Sequence, residues 1–484
     1  MSTSIIRLAP LLLAVASAAP APNLESEGRL AFEQGRYRDA LKVLGGRDDV
    51  FVKLVQDTLR LTQGSVHVES EHFIFTYPPG KDAVLAPYAL ETLEKMRAAL
   101  GEDFGFVPPE KVRVEVFNDG HELSSVSTLT YQQIKTTGTI AICKFNKLMI
   151  TSPKAVLRGY DWQDTLAHEY VHWVVSRATD DRTPVWLQEG LAKYFESRWR
   201  GGAGLSMSPS TLSLLGQHLK SNRLITFAQM YPSMAMLPTA EDAATAFAEV
   251  FFAIDYWVKT YRLEGLRSLF QWLRNGLGDQ AAIERTTQKS FERFQLDWRE
   301  YLKTLTYPAK SSKVSEVKVV LKEGAGNLAF GDFVEVQESG ARRMAHLGEL
   351  MRQQNRIKAA VTEYAKAYQE GGDGYESISD KYALSLVDTG NTELAAKVLR
   401  SSLRDHPSSP ALLIHLGRIN LKKERWNEAK TNFLEALSSD PFDPEIHLSL
   451  LRIYRHQGNS ALAARTHAAA KALTELSDAE IDRY

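Results

Sequence analysis

The sequence predicts an α+β domain followed by an all-α solenoid. Three observations carry that reading. From Ser65 the chain alternates apolar and polar residues with a period of two ("SVHVESEHFIFTYPPG"), and the alternation returns in "KVRVEVF" and in "GTIAICKFNKLMIT", a further strand or hairpin. After Ser197 the pattern is mostly helical to about Leu305, so strands precede helices. From Ala341 the chain repeats itself every 34 residues, the mark of stacked helical pairs.

With 484 residues the chain has room for two or three domains. Its 44% hydrophobic and 24% charged residues are those of an ordinary globular protein. Lys plus Arg (58) nearly cancel Asp plus Glu (59). That balance argues against nucleic acid or an anionic membrane surface as the main partner.

Taken in order, "MSTSIIRLAPLLLAVASAAPAP" has one Arg, an apolar run to Val15, and Ala16-Ser17-Ala18 as a small-x-small cleavage site. The run is too short to span a bilayer comfortably. Residues 1–18 therefore read as a secretory signal peptide, and the protein is expected to be periplasmic or extracellular. No other segment approaches the length of a span, so no membrane span is expected in the mature chain. No Cys lies near the cleavage site, so no lipid anchor is expected there. Cys143 is the sole cysteine and can form no internal disulfide. It reads as a packed thiol.

Residues 24–63 read as two helices forming a hairpin, with Gly35 at the turn of "LAFEQGRYRDALKVL". Residues 65–306 hold the α+β domain, in which "YALETLEKMRAALGEDFGF" is a helix punctuated by Gly101. Residues 307–340 carry Pro, Ser and Gly with little helical period and read as a linker with a short hairpin. Residues 341–475 make about four helical pairs. Leu416 and Leu450, Ala395 and Ala429, Pro407 and Pro441, and Gly390, Glu424 and Gly458 each recur at 34 residues. A looser unit begins at Leu347-Gly348. Small residues let paired helices approach and Pro stops the second helix, which is the tetratricopeptide pattern; the hairpin at 24–63 resembles one such unit. Such surfaces bind a protein partner or serve as a scaffold. The linker implies that the array is not needed for the chemistry of the first domain.

The chemistry sits in "TLAHEYVHWVV", residues 165–175. On a helix, His168 and His172 lie one turn apart on one face and can reach one ion. Glu169 lies about 100° round the helix, beside that ion, as suits a base acting on water. Two ligands do not hold zinc, so a third is required. "RTPVWLQEGLAKYFESRW" supplies Glu189, with Thr183 suited to cap the helix and Pro184 to its first position. Glu196 falls on the same face as Glu189, while Leu187, Leu191 and Phe195 take the other side.

H-E-x-x-H followed by W-L-x-E-G-x-A-x-x-x-x-E resembles the gluzincins, the thermolysin-like peptidases with Glu as third ligand. "PVWLQEGLAKYFE" is similar to the aminopeptidases of that group. The wider arrangement resembles the bacterial peptidase MA-like family, often fused to tetratricopeptide repeats. The resemblance covers roughly residues 65–305. It implies one zinc ion per chain on His168, His172 and Glu189, Glu169 as general base, and Glu196 supporting a ligand histidine. It also implies that Gly138 to Met149, beginning Gly138, Thr139, Ile140 and Ala141, form the edge strand that pairs with a peptide substrate. One departure stands out. These families carry a Tyr on a later helix that stabilises the oxyanion, and in "ATAFAEVFFAIDYW" that position is Phe247. Tyr256 is half a turn out of phase, and Tyr231 sits in a loop. Two readings follow. One is an exported zinc metallopeptidase, favoured by the intact Glu169. The other is a tetratricopeptide scaffold with a catalytically weak or retired zinc domain, favoured by Phe247.

Overall fold

The computed structural model describes residues 24–47, 49–157, 159–202, 207–308, 321–322, 333 and 335–484. The signal peptide expected over 1–18 and most of the linker expected over 307–340, with its hairpin, lie outside the described residues. The chain divides into two compact units at Leu59 and Arg60.

In the first unit, α1 (Leu24–Glu33) and α2 (Tyr37–Leu44) form the expected hairpin. Gly35 turns the chain at φ +74°. The two helices close tightly because Gly28 has no side chain; a Cβ there would lie 2.4 Å from Leu44 Cγ. The stretch 24–63 holds three helices rather than two. The third, α3 (Val50–Thr62), crosses the division between the units. In the first unit Phe51 packs edge-on to Phe32, with ring centroids 5.4 Å apart.

The second unit begins with β1 (Val66–Glu69) and β2 (Phe73–Tyr77), then α4 (Leu85–Phe104) and β3 (Val112–Phe117). α5 (Gly120–Val126), α6 (Tyr131–Thr137), β4 (Ala141–Lys144) and β5 (Lys147–Thr151) follow. The strands form one sheet in the order β1-β2-β3-β5-β4. β2, β3 and β5 run parallel in the middle, and β1 and β4 are antiparallel edges. β3 alternates in sequence yet is buried along nearly its whole length, as a central parallel strand covered on both faces must be. Its buried Glu115 accepts a 2.7 Å hydrogen bond from the equally buried Lys147 Nζ on β5, which removes the cost of an unpaired charge.

Helices then dominate: α7 (Trp162–Thr179), α8 (Val185–Phe195), α9 (Pro209–Lys220), α10 (Ala240–Arg274), α11 (Asp279–Thr287) and α12 (Phe291–Thr304). α10 is broken at Arg262, where φ is +62°. α4 and α7 pack on the sheet, with Tyr170 of α7 edge-on to Phe73 of β2 at 5.2 Å.

The C-terminal region is all helix and forms the four expected pairs. They are α13 (Ser339–Gln353) with α14 (Ile357–Gln369), α15 (Glu376–Asp388) with α16 (Thr392–Asp405), α17 (Pro410–Lys422) with α18 (Trp426–Ser439), and α19 (Pro444–His456) with α20 (Ser460–Leu473); α21 (Asp478–Ile481) closes the chain. The small residues sit at the helix crossings. A Cβ on Gly348 would meet the Tyr364 ring at 2.9 Å, and one on Gly417 the Phe433 ring at 2.8 Å.

The array is not held apart from the α+β region. Its first half has its own core around Tyr364, Ile378 and Leu399. Its second half, including Phe433, Leu437 and Leu450, belongs to the same apolar cluster as Phe75, Leu166 and Val175. Arg465 of α20 pairs with Glu91 of α4 and lies over the Tyr88 ring at 4.5 Å. No helix among the described residues is long and apolar enough to cross a membrane.

Candidate metal centre

α7 and α8 present the candidate ligands to each other. The i, i+4 spacing puts His168 and His172 on one face of α7, and the loop through Asp180 and Asp181, both at φ +56°, returns the chain alongside. Pro184 is the N-cap of α8 rather than its first helical residue, and Thr183 Oγ1 bonds Thr179 Oγ1 at 2.7 Å instead of capping. Leu187, Leu191 and Phe195 are buried on the far side of α8, so Glu189 and Glu196 both turn towards α7.

The resulting geometry is specific. His168 Nε2 and His172 Nε2 are 3.1 Å apart, and Glu189 Oε2 lies 3.5 Å from the first and 3.6 Å from the second. Tetrahedral bonds of about 2.0–2.1 Å to zinc separate neighbouring ligand atoms by about 3.3 Å, so this triangle has the size zinc requires. Each imidazole is oriented from its other side. His168 Nδ1 is 3.1 Å from Glu196 Oε2 and His172 Nδ1 is 3.1 Å from Gln188 Oε1. Both partners are acceptors, so each Nδ1 keeps a proton and each Nε2 is the nitrogen left to offer a lone pair to a metal. Two imidazole nitrogens and a carboxylate oxygen converging at this distance need positive charge among them, from a metal cation or from a proton on an imidazole. The donor set fits zinc.

The electrostatics agree. Burial works to raise the Glu189 carboxyl, but His172 and His168 outweigh it and hold that carboxyl well below its usual range. Burial opposes charge on His168, but Glu189 and Glu196 more than offset it and push its imidazole up to about 10. The cluster draws positive charge. Glu169 behaves oppositely: it is buried, and burial raises its carboxyl despite the two histidines and the Cys143 amide of β4. Two carboxylates with opposite shifts, one firmly ionised and one drawn towards neutrality, are suited to different tasks. His168, His172 and Glu189 keep 15%, 17% and 24% of their side-chain surface exposed, so solvent and solutes reach the ligand set.

The edge strand differs from expectation. Gly138 caps α6 at φ +70°, and Thr139 bonds Thr137 by its hydroxyl at 2.6 Å. Ile140 lies outside the strand, although its carbonyl accepts the Thr151 N–H at 2.7 Å. Only Ala141 of the four is on β4. Residues 147–149 belong to β5, an interior strand. A tight turn at Phe145 and Asn146, at φ +54° and +56°, makes this segment the hairpin that its alternation also allowed. The edge strand is β4, whose Cys143 amide bears on Glu169.

Phe247 is partly buried on α10. It lies on the same stripe as Val250 and Ile254, which close around Gly190 of α8; a Cβ on Gly190 would meet each at 2.9 Å. Residue 247 is thus on the side of α10 that faces the ligand helix. Tyr256 packs away from it, against Phe294 and Tyr301 at 6.0 and 5.7 Å. Tyr231 is 76% exposed in the segment before α10.

Gln188 and Lys193 were not singled out by sequence. Gln188 Nε2 donates to Ser176 Oγ at 3.3 Å while its oxygen faces His172. Lys193 Nζ donates to Glu196 Oε1 at 2.6 Å. The signal for Lys193 was present, since it follows Glu189 by one turn on the same stripe.

Residues 92–304 match the family model of the Peptidase MA superfamily, and residues 382–429 and 420–479 match a tetratricopeptide repeat. The chain is a Peptidase MA superfamily domain fused to tetratricopeptide repeats. No curated protein matches the sequence. Among solved structures, native yeast LTA4 hydrolase aligns at 11% identity and TM-score 0.34, over 83% of this chain and 66% of that one. The Cut9–Hcn1 hetero-tetramer of the APC/C aligns at 13% identity and TM-score 0.27, over 93% of this chain and 78% of that one. The chain therefore spans about two thirds of the yeast hydrolase. Likenesses this distant say nothing about the chemistry of the Peptidase MA domain, which rests on its own residues.

Proposed function

We propose that this protein is a zinc metallopeptidase of the thermolysin-like, gluzincin type, with His168, His172 and Glu189 as zinc ligands. The observation that carries this reading is the triangle of two imidazole nitrogens and one carboxylate oxygen, with sides of 3.1, 3.5 and 3.6 Å. Zinc supplies Lewis acidity towards a scissile carbonyl. Glu169 accepts the proton of the attacking water and delivers it to the leaving amine. Glu196 and Gln188 hold the two imidazoles in orientation and fix which nitrogen keeps its proton. β4, as the free edge beside Glu169, offers backbone groups to an extended peptide, and the repeats offer a surface for a protein partner. The leader over residues 1–18 makes export part of the proposal; N-terminal sequencing of exported protein should begin just after Ala18, and retention in the cytoplasm would refute it.

His172→Ala is expected to abolish stoichiometric zinc, because the remaining two ligands do not hold the ion. Elemental analysis of the purified protein checks this: the wild type should carry one zinc and the variant close to none. Full retention by the variant would overturn the ligand assignment.

The alternative, a repeat scaffold whose zinc domain is retired, is favoured by Phe247. Removing one oxyanion donor typically costs about 10²–10³ in rate. If residue 247 lines the site, Phe247→Tyr should raise kcat/KM on peptides about tenfold or more with zinc content unchanged. A lower melting temperature with unchanged turnover would instead mark position 247 as packing, where a buried unpaired hydroxyl costs about 1–3 kcal/mol.

A further inference from the structure

The stripe of α7 that carries the ligands extends one turn towards its N-terminus, to Asp164. Beyond Glu196, the C-cap of α8, a short 3-10 turn (Arg198–Arg200) brings Arg200 up to Asp164. The two segments pair as rungs: His172 with Gln188, both histidines with Glu189, His168 with Glu196, and Asp164 with Arg200. The last rung is a fork, with Arg200 Nε donating to Asp164 Oδ1 at 3.2 Å and Nη2 to Oδ2 at 3.1 Å. Trp199 Nε1 also donates to Asp164, at 2.8 Å.

Arg200 does not stop there. Its Nη1 reaches both oxygens of Glu435 at 3.1 and 3.2 Å, and its Nη2 reaches Ser438 Oγ at 3.3 Å, all on repeat helix α18. The first turn of α7 is tied to the same place. Trp162 Nε1 donates to the Leu437 carbonyl at 3.1 Å, and Ser438 Oγ donates to Gln163 Oε1 at 3.0 Å. Asp161, the N-cap residue of α7, makes no capping bond within its own helix. Its carboxylate accepts instead from Ser408 Oγ at 2.7 Å and Ser439 Oγ at 2.9 Å, both in the array. An Asp at this position ordinarily satisfies the free amides of the helix start; here its acceptor capacity is committed to the repeats. Gly159 permits the approach, since a Cβ there would fall 2.0 Å from the Ser439 carbonyl oxygen.

We propose that Arg200 is a positioning residue for the metal ligands, joining the end of α18 to the turn of α7 before His168, so that docking of the repeats sets the register of α7 against α8. The proposal rests on the zinc reading above. A helix held only by its apolar face can rotate or slide by a fraction of a turn. A fork that ties α7 and α18 to the turn directly after α8 removes that freedom one turn from the first ligand.

The test uses the full chain and three variants: Arg200→Ala, the array-side pair Ser408→Ala with Ser439→Ala, and all three changes together. Zinc affinity is measured by competition with a chromogenic chelator, and hydrogen exchange is followed in residues 165–172. Loss of a group that orients a metal ligand typically weakens binding about 10–100-fold. Arg200→Ala and the serine pair should each weaken zinc binding, Arg200→Ala by about tenfold or more. Each should also speed exchange in α7, and the combination should cost less than the product of the two. Fully multiplicative losses, or zinc affinity and α7 exchange unchanged in variants that melt cooperatively, would overturn the proposal. Should a variant fail to fold, Arg200→Lys keeps the charge without the fork and is judged by the same readouts. If the wild type binds no zinc, the functional reading above fails, and the exchange measurement alone still decides whether α18 holds α7.

Discussion

Glu169→Gln is expected to leave zinc content and fold intact and to lower peptide hydrolysis by about 10²–10⁴, the usual contribution of a positioned proton acceptor. Glu169 follows the first ligand on α7 but points about 100° away from it, and it stands outside the cluster of His168, His172 and Glu189, whose ligand atoms lie within 4.8 Å of one another. Its carboxyl is buried and raised by that burial, which makes it a stronger base than an exposed glutamate. Glutamine has the same size and keeps the acceptor oxygen facing the Cys143 amide, but it cannot take a proton. Single-turnover cleavage of a peptide alongside metal analysis makes the test. Wild-type turnover in a zinc-loaded variant would remove Glu169 from the reaction.

A chain ending at residue 339 is expected to misfold or aggregate and to hold little zinc. The composition of residues 307–340 suggested the opposite, a peptidase domain able to work alone. The structure buries Trp162 completely with its indole N–H on the Leu437 carbonyl, and the truncation leaves that ring and its donor uncovered. Each large apolar side chain returned to water costs about 1.5–3 kcal/mol. Several lie at this junction, against a total stability of about 5–15 kcal/mol for a typical domain. Asp161 and Asp164 would also lose the serines and part of the arginine network that pair with them. Thermal unfolding and zinc content of the truncated chain check this. A soluble product with the full-length melting temperature and one zinc would show that the repeats are an independent module.

The sequence by itself determined the parts of the centre that follow from helical periodicity. The spacing of His168 and His172, the sideways placement of Glu169, and the shared face of Glu189 and Glu196 depend on 3.6 residues per turn and on nothing distant. The four helical pairs of the array were legible for the same reason, since a repeated spacing of small and apolar residues is a local signal. What the tertiary structure decided is non-local. Gln188 is a common surface residue type until α8 is laid against α7 and its amide meets His172. The alternation of residues 138–151 allowed one strand or a hairpin; two successive residues at positive φ, Phe145 and Asn146, make it a hairpin, and neither is the glycine that would announce the turn. Asp161 directly precedes α7, yet its carboxylate is held by Ser408 and Ser439, 247 and 278 residues further along the chain. Periodicity specifies which face a helix buries; it carries no record of what lies on the other side of that face.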